Sequence, residues 1–144
     1  MFKELDHVAM SVKDMEKAIA FYVDVVGMEK VFDREFGVQM ARLIGVEGTK
    51  ARIVHLQLGD AFLELFDYKY PKGREPRPGQ QQSDFGLTHI GFTVEDFWAT
   101  YQHLLDHGVK FLAKPVEFRP GVFVGYFYGV EHEVCEIREV LPRE

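Results

Sequence analysis

Two histidines and two glutamates stand at matching points of a phrase that this chain uses twice. Leu5-Asp6-His7-Val8-Ala9-Met10-Ser11-Val12-Lys13-Asp14 returns as Leu87-Thr88-His89-Ile90-Gly91-Phe92-Thr93-Val94-Glu95-Asp96, offset by 82 residues from His7 to His89 and from Asp14 to Asp96. A second echo sets Phe62-Leu63-Glu64-Leu65 against Val134-Cys135-Glu136-Ile137. Imidazole nitrogens and carboxylate oxygens are ordinary ligands for a divalent cation. His7, Glu64, His89 and Glu136, paired by an internal repeat, are therefore candidates for a pseudo-symmetric metal site. A divalent ion held by such a set makes a centre that is neutral overall when both imidazoles are unprotonated.

The alternation of the strands supports this reading, because strand side chains point to opposite faces in turn. Val8, Met10 and Val12 form a bulky face, and His7, Ala9 and Ser11 a small one. The second copy has Ile90, Phe92 and Val94 against His89, Gly91 and Thr93. The small face should line a cavity with the histidine as its one large group. Glu64 falls with Phe62 and Phe66, and Glu136 with Val134 and Arg138. A carboxylate in such a place is costly unless it is paired or ligates a metal.

The other histidines and the cysteine carry less. His55 shares a face with Ile53 and Gln57 and is a candidate substrate contact or competing ligand. His103 and His107, four apart, suit the end of a helix, where positive charge is favoured. His132 falls in a turn. Cys135 falls on the helix-facing side of its strand, as a core residue.

The elements that must position these groups follow from hydrophobic period and turn residues. In the first half, Leu5 to Val12 reads as a strand. Met15, Ala18, Ile19, Tyr22 and Val26 recur at helical spacing behind an N-cap at Asp14, and Gly27 stops that helix. Met28 to Phe36 reads as a strand, and a glycine-bearing loop follows in which Met40 to Ile44 is ambiguous. Ala51 to Leu58 and Ala61 to Asp67 form a hairpin around Gly59-Asp60. Residues 68–86, rich in Pro, Gly and Gln, read as a linker or flap. The second half repeats the order: a strand over Leu87 to Val94, a helix marked by Phe97, Tyr101, Leu104 and Leu105 and closed by Gly108, then strands at Phe111-Leu112, Val122 to Tyr128 and Val134 to Glu139. Module 1 is thus expected at about 3–67 and module 2 at about 87–140.

Size and charge bound the function. One hundred and forty-four residues, 47% hydrophobic with 13 phenylalanines, suffice for a core. A net charge of −6 without a basic stripe argues against nucleic-acid binding. No apolar run is long enough to span a membrane, and no signal peptide is evident at the N-terminus. The single cysteine fits a reducing, cytoplasmic setting.

The paired β-α-β-β-β units, with His7 and Glu64 in one and His89 and Glu136 in the other, resemble the vicinal oxygen chelate superfamily, which includes glyoxalase I and methylmalonyl-CoA epimerase. The stretch Ala20-Phe21-Tyr22-Val23-Asp24-Val25-Val26-Gly27-Met28 is similar to that superfamily's helix and following strand. The resemblance implies an α+β fold in which two βαβββ modules form a cupped mixed sheet holding one divalent ion (Ni, Co, Zn, Mn or Fe) between the four ligands. It also implies a small-molecule substrate and a homodimer. The chain departs from the family pattern at the turn before the last strand, Gly129-Val130-Glu131-His132. It departs again where epimerases carry a glutamate base, since Gly48 falls there with Glu47 one residue away.

The activity so implied is that of a metal-dependent lyase or isomerase, taking a proton from the carbon beside a metal-bound carbonyl through an enediolate-like intermediate. Glu136 and Glu64 are the candidate bases, with Glu47 behind them, and His55, Arg119, Tyr126 and Tyr128 are candidate substrate contacts. The alternatives are an antibiotic-binding resistance protein and an extradiol-type dioxygenase. The four-ligand set disfavours the latter, because Glu64 would fill a position that oxygen needs.

Overall fold

The alternation in both copies of the repeated phrase does become strand. A computed structural model describes residues 1–142 and resolves two compact units, Met1–Pro76 and Arg77–Glu144. In the first unit β1 (His7–Ser11) leads to α1 (Met15–Ala20), which runs on as a π-helical segment over Phe21–Val26. β2 (Glu29–Phe36), α2 (Val38–Ile44), β3 (Lys50–Leu58) and β4 (Ala61–Tyr70) follow. In the second unit the order is β5 (Ile90–Thr93), α3 (Phe97–Asp106), β6 (Val116–Arg119), β7 (Val122–Tyr128) and β8 (Val134–Val140).

Each unit builds one four-stranded mixed sheet, in the order β1-β4-β3-β2 and β5-β8-β7-β6. The first strand of each unit runs parallel to the last, and the remaining pairs are antiparallel. Two mixed sheets with few helices make this an α+β fold, as the family resemblance implied. No helix among the described residues is long and apolar enough to cross a membrane.

The helices begin and end for local reasons. Asp14 caps α1 by accepting from the Lys17 amide at 3.1 Å, and Asp96 caps α3 by accepting from the Ala99 amide at 3.1 Å. Gly27 closes the first helical stretch in the left-handed conformation, φ 91°, which a residue with a Cβ adopts at a cost. The apolar stripe of that stretch buries Met15, Ala18 and Tyr22. The sheet side of the first core is Val54, Leu56, Leu63 and Leu65, aligned as cross-strand pairs. Burying each such side chain is worth about 1.5–3 kcal/mol. In the second unit Phe97 and Leu104 of α3 are buried, as are Phe127, Cys135 and Ile137 of the sheet. Gly125 allows a close approach, since a Cβ there would lie 3.1 Å from both Phe111 and Pro115.

Several elements differ from the sequence expectation. Met40 to Ile44 belongs to a two-turn helix, α2, bracketed by Gly37 and Gly45 and anchored by buried Met40. β4 continues to Tyr70, so Tyr68 to Tyr70 belong to the sheet and not to a linker. Phe111-Leu112 is no strand: Phe111 forms one isolated bridge to Phe127, and the chain leaves the sheet before Pro115. The edge strand is β6 instead, bounded by Pro115 and Pro120. All four of its residues are exposed, so no alternation marks it. The paired part of the second copy of the phrase is shorter than expected, and His89 immediately precedes β5.

Candidate functional site

The alternation places each glutamate as expected. On β4, Leu63 and Leu65 are buried in the core while Phe62, Glu64 and Phe66 occupy the other face. On β8, Cys135 and Ile137 are buried and Val134, Glu136 and Arg138 take the other face. The neighbouring first strands leave room beside both carboxylates. Ala9 sits opposite Glu64, and Gly91 opposite Glu136, where a Cβ would lie 3.7 Å from the carboxylate oxygen.

In the first unit the His7 ring reaches the Glu64 carboxylate, Nε2 to Oε1, at 3.5 Å. Its Nδ1–H donates to Asp6 Oδ2 at 2.7 Å, and the ring stacks on Phe62 with centroids 4.9 Å apart. An acceptor-only carboxylate on Nδ1 fixes the tautomer and leaves the Nε2 lone pair for a ligand. In the second unit His89 Nε2 lies 2.9 Å from Glu136 Oε2. Here Nδ1 contacts Gln82 Oε1 at 3.2 Å and Thr88 Oγ1 at 2.9 Å. Asp6, Gln82 and Thr88 were not expected in these roles. Gln82 comes from the stretch read as a linker, and Asp6 and Thr88 each precede their histidine by one residue.

The structure assigns His55 to the first unit's pair. It sits across the β3–β4 ladder from Glu64, and its Nε2–H donates to Glu64 Oε2 at 2.6 Å. Its ring lies between Phe32 and Phe62, with centroids 4.7 and 4.4 Å away. An imidazole thus lies beside each oxygen of Glu64, with the hydrogen bond coming from His55. Tyr126 holds the matching place in the second unit, across from Glu136, and packs its ring on His89 at 4.8 Å. Tyr68, four residues beyond Glu64 on the same strand, ionises later than an ordinary tyrosine, because of its burial first and the Glu64 charge second.

Other expected residues lie apart from these pairs. Arg119 ends the exposed edge strand β6, with β7 between it and β8. Tyr128 pairs with Val134 at the end of its ladder and meets the His132 ring edge-on at 6.2 Å. Glu47 follows α2 and helps line an open-sided cavity of about 570 Å³ with Val38, Ala41, Arg42, Thr49 and Lys50. Neither His7 nor Glu64 lines that cavity.

The donor chemistry fits a divalent cation. Two ligands about 2.1 Å from one ion stand roughly 3.0–3.4 Å apart, and the His7–Glu64 and His89–Glu136 separations of 3.5 and 2.9 Å bracket that range. Each unit supplies such a pair. Among the described residues no group of three or more His, Cys, Asp or Glu is gathered as a metal-holding cluster.

Known proteins share the sequence pattern and the fold of this chain. The family model described as "Glyoxalase/Bleomycin resistance protein/Dioxygenase superfamily" matches residues 4–130. A 2-epi-5-epi-valiolone epimerase from Actinomyces sp. is 32% identical, over 96% of this chain and 81% of its own. The human mitochondrial methylmalonyl-CoA epimerase is 28% identical over 83% of this chain and 65% of its own. A glyoxalase family protein from Bacillus cereus superposes with a TM-score of 0.89 at 21% identity, covering 99% of this chain and 97% of that one.

Proposed function

Since the chain belongs to the glyoxalase/bleomycin resistance protein/dioxygenase superfamily, we propose that it is a metal-dependent isomerase or lyase, with epimerisation the favoured reaction. His7, Glu64, His89 and Glu136 are the proposed ligands. The observation that carries this reading is the repeated pair: in each unit an imidazole, its Nδ1 held by a neighbour, presents Nε2 to a glutamate. The epimerases among its relatives support the choice of reaction. The substrate is a small molecule, and a homodimer in the cytoplasm accompanies this reading.

When bound, a divalent cation supplies Lewis-acid polarisation of a substrate oxygen, which acidifies the adjacent carbon. The protein's own groups then move the proton. Glu64 is held through Oε2 by the His55 N–H, which suits a fixed role. Among the described residues Glu136 meets only His89, through Oε2, so its second oxygen is the better proton acceptor. A proton returned to the same carbon from the other face gives the epimer; returned to the neighbouring carbon, it gives an isomer.

The test joins elemental analysis with proton exchange in heavy water over a panel of acyl-CoA esters, thiohemiacetals and cyclic polyol ketones. One metal ion per chain is expected, falling in Glu64→Gln, with exchange at one substrate carbon abolished in Glu136→Gln. Unchanged occupancy in Glu64→Gln means a three-ligand site. Full occupancy in a His7→Ala, His89→Ala double variant would overturn the ligand assignment.

A further inference from the structure

The internal repeat lets one unit serve as a control for the other. Positions that only shape the sheet can hold the same kind of residue in both, and a position that changes character has been freed for another task. The sharpest such change lies two residues beyond each glutamate. In the first unit that place is Phe66, paired with Ser11 on β1 and Ile53 on β3. In the second it is Arg138, paired with Thr93 on β5 and Val124 on β7. Phe66 shows that an aromatic side chain satisfies the fold at this position.

Arg138 is half-buried, on the same face of β8 as Glu136. Among the described residues its guanidinium has no ion-pair or hydrogen-bond partner. The acids of its own strand are committed elsewhere: Glu136 faces His89, and Glu139 accepts from the Asp96 and Phe97 amides at 3.1 and 2.8 Å. The Thr93 hydroxyl, beside Arg138 across the β5–β8 ladder, is likewise without a protein partner among the described residues. A guanidinium stays charged at every working pH and offers five donors in a planar fork that matches a carboxylate or phosphate. A fork with no protein partner, on a half-buried side chain beside the exposed Thr93, is free to take an oxyanion bidentately.

We propose that Arg138, assisted by Thr93, binds an oxyanion of the substrate, a carboxylate or a phosphate. This rests on the reading of His89 and Glu136 as part of the reacting site. Two strand residues span about 6.6–6.8 Å, so the anionic group sits a few bonds from the carbon that loses its proton. The substrate class is accordingly an acid: a keto or hydroxy acid, or a phosphorylated sugar derivative.

Malonate and inorganic phosphate, each titrated calorimetrically at constant ionic strength into chelator-treated protein, provide the test. Removing metal first eliminates anion binding to the cation. One of the two anions is expected to bind saturably, and the preferred one identifies the group. Arg138→Gln should weaken it about tenfold or more, Arg138→Lys should retain part of the affinity, and Arg138→Phe, copying the first unit, should fold normally by circular dichroism without binding. No saturable binding of either anion to the wild type, or equal binding to Arg138→Gln, overturns the assignment. Metal occupancy of Arg138→Gln, measured on untreated protein, should equal wild type. Absence of metal from both would defeat the ligand reading while leaving the anion result to stand or fall separately.

Discussion

Replacing His55 by Phe removes one hydrogen bond and little else. The new ring keeps the place between Phe32 and Phe62, now at 4.7 and 4.4 Å from the imidazole, so the aromatic packing survives. What disappears is the 2.6 Å bond to Glu64 Oε2. A hydrogen bond to a charged group contributes about 1.5–3 kcal/mol when buried. The two side chains are 23% and 17% exposed, so water takes back part of that, and a loss of about 1–2 kcal/mol is expected. Urea denaturation of the metal-free protein reads it as a lower midpoint at unchanged slope. The second consequence concerns the ligand: a carboxylate no longer held in place should lose about 10–100-fold in affinity for a divalent cation, measured by competition with a chromophoric chelator. Tyr126→Phe is the internal control. Its ring packs on His89 and makes no hydrogen bond to Glu136, so both quantities should stay near wild type. Wild-type stability and affinity in His55→Phe, or equal losses in the two variants, would refute the view that His55 holds Glu64.

Asp33 supplies a pH test at a distance from the site. Arg52 donates to both its oxygens, at 2.9 and 2.8 Å, and that bond, opposed by burial and helped by Lys30, holds the carboxyl at about 2. A folded value below the unfolded one means that the stabilisation is full above about pH 4 and is lost as pH falls towards about 2. At 26% exposure the contribution is at most about 2 kcal/mol, and Asp33→Asn should flatten the acid limb of the stability curve by that amount. Tyr68 reports the charge on Glu64: its absorbance titration, isolated as a difference against Tyr68→Phe, should come later than that of a free tyrosine. In a Glu64→Gln background it should move only part of the way back, since burial is the larger cause.

The parts of this molecule that could be read from its sequence are those set by a strict period. Two-residue alternation placed His7, Glu64, His89 and Glu136 on one kind of face, because a sheet with one buried side enforces it. The His55–Glu64 contact was equally available. From the Gly59-Asp60 turn, Leu58 pairs with Ala61, Gln57 with Phe62, Leu56 with Leu63, and so His55 with Glu64. The misses have the opposite character. β6 has all four residues exposed and two prolines at its borders, so nothing periodic announces it. α2 is too short to show a helical stripe and rests on one buried side chain, Met40. Tyr68 to Tyr70 were assigned to the linker because Pro71 follows them, although the ladder opposite, Lys50 and Ala51, still had partners to find.

In both units the first strand lies parallel to the last, which fixes an order of events during synthesis. His7 is made well before β4, so its place beside that strand does not exist until the chain has been made through Tyr70. From then on every strand of the first sheet has its neighbours, so that unit can assemble while the rest of the message is still being translated. The second sheet meets the same requirement only once β8 has been made. The nascent protein therefore carries one finished imidazole–carboxylate couple for as long as the second half takes to be made, and acquires the other only after β8 has emerged.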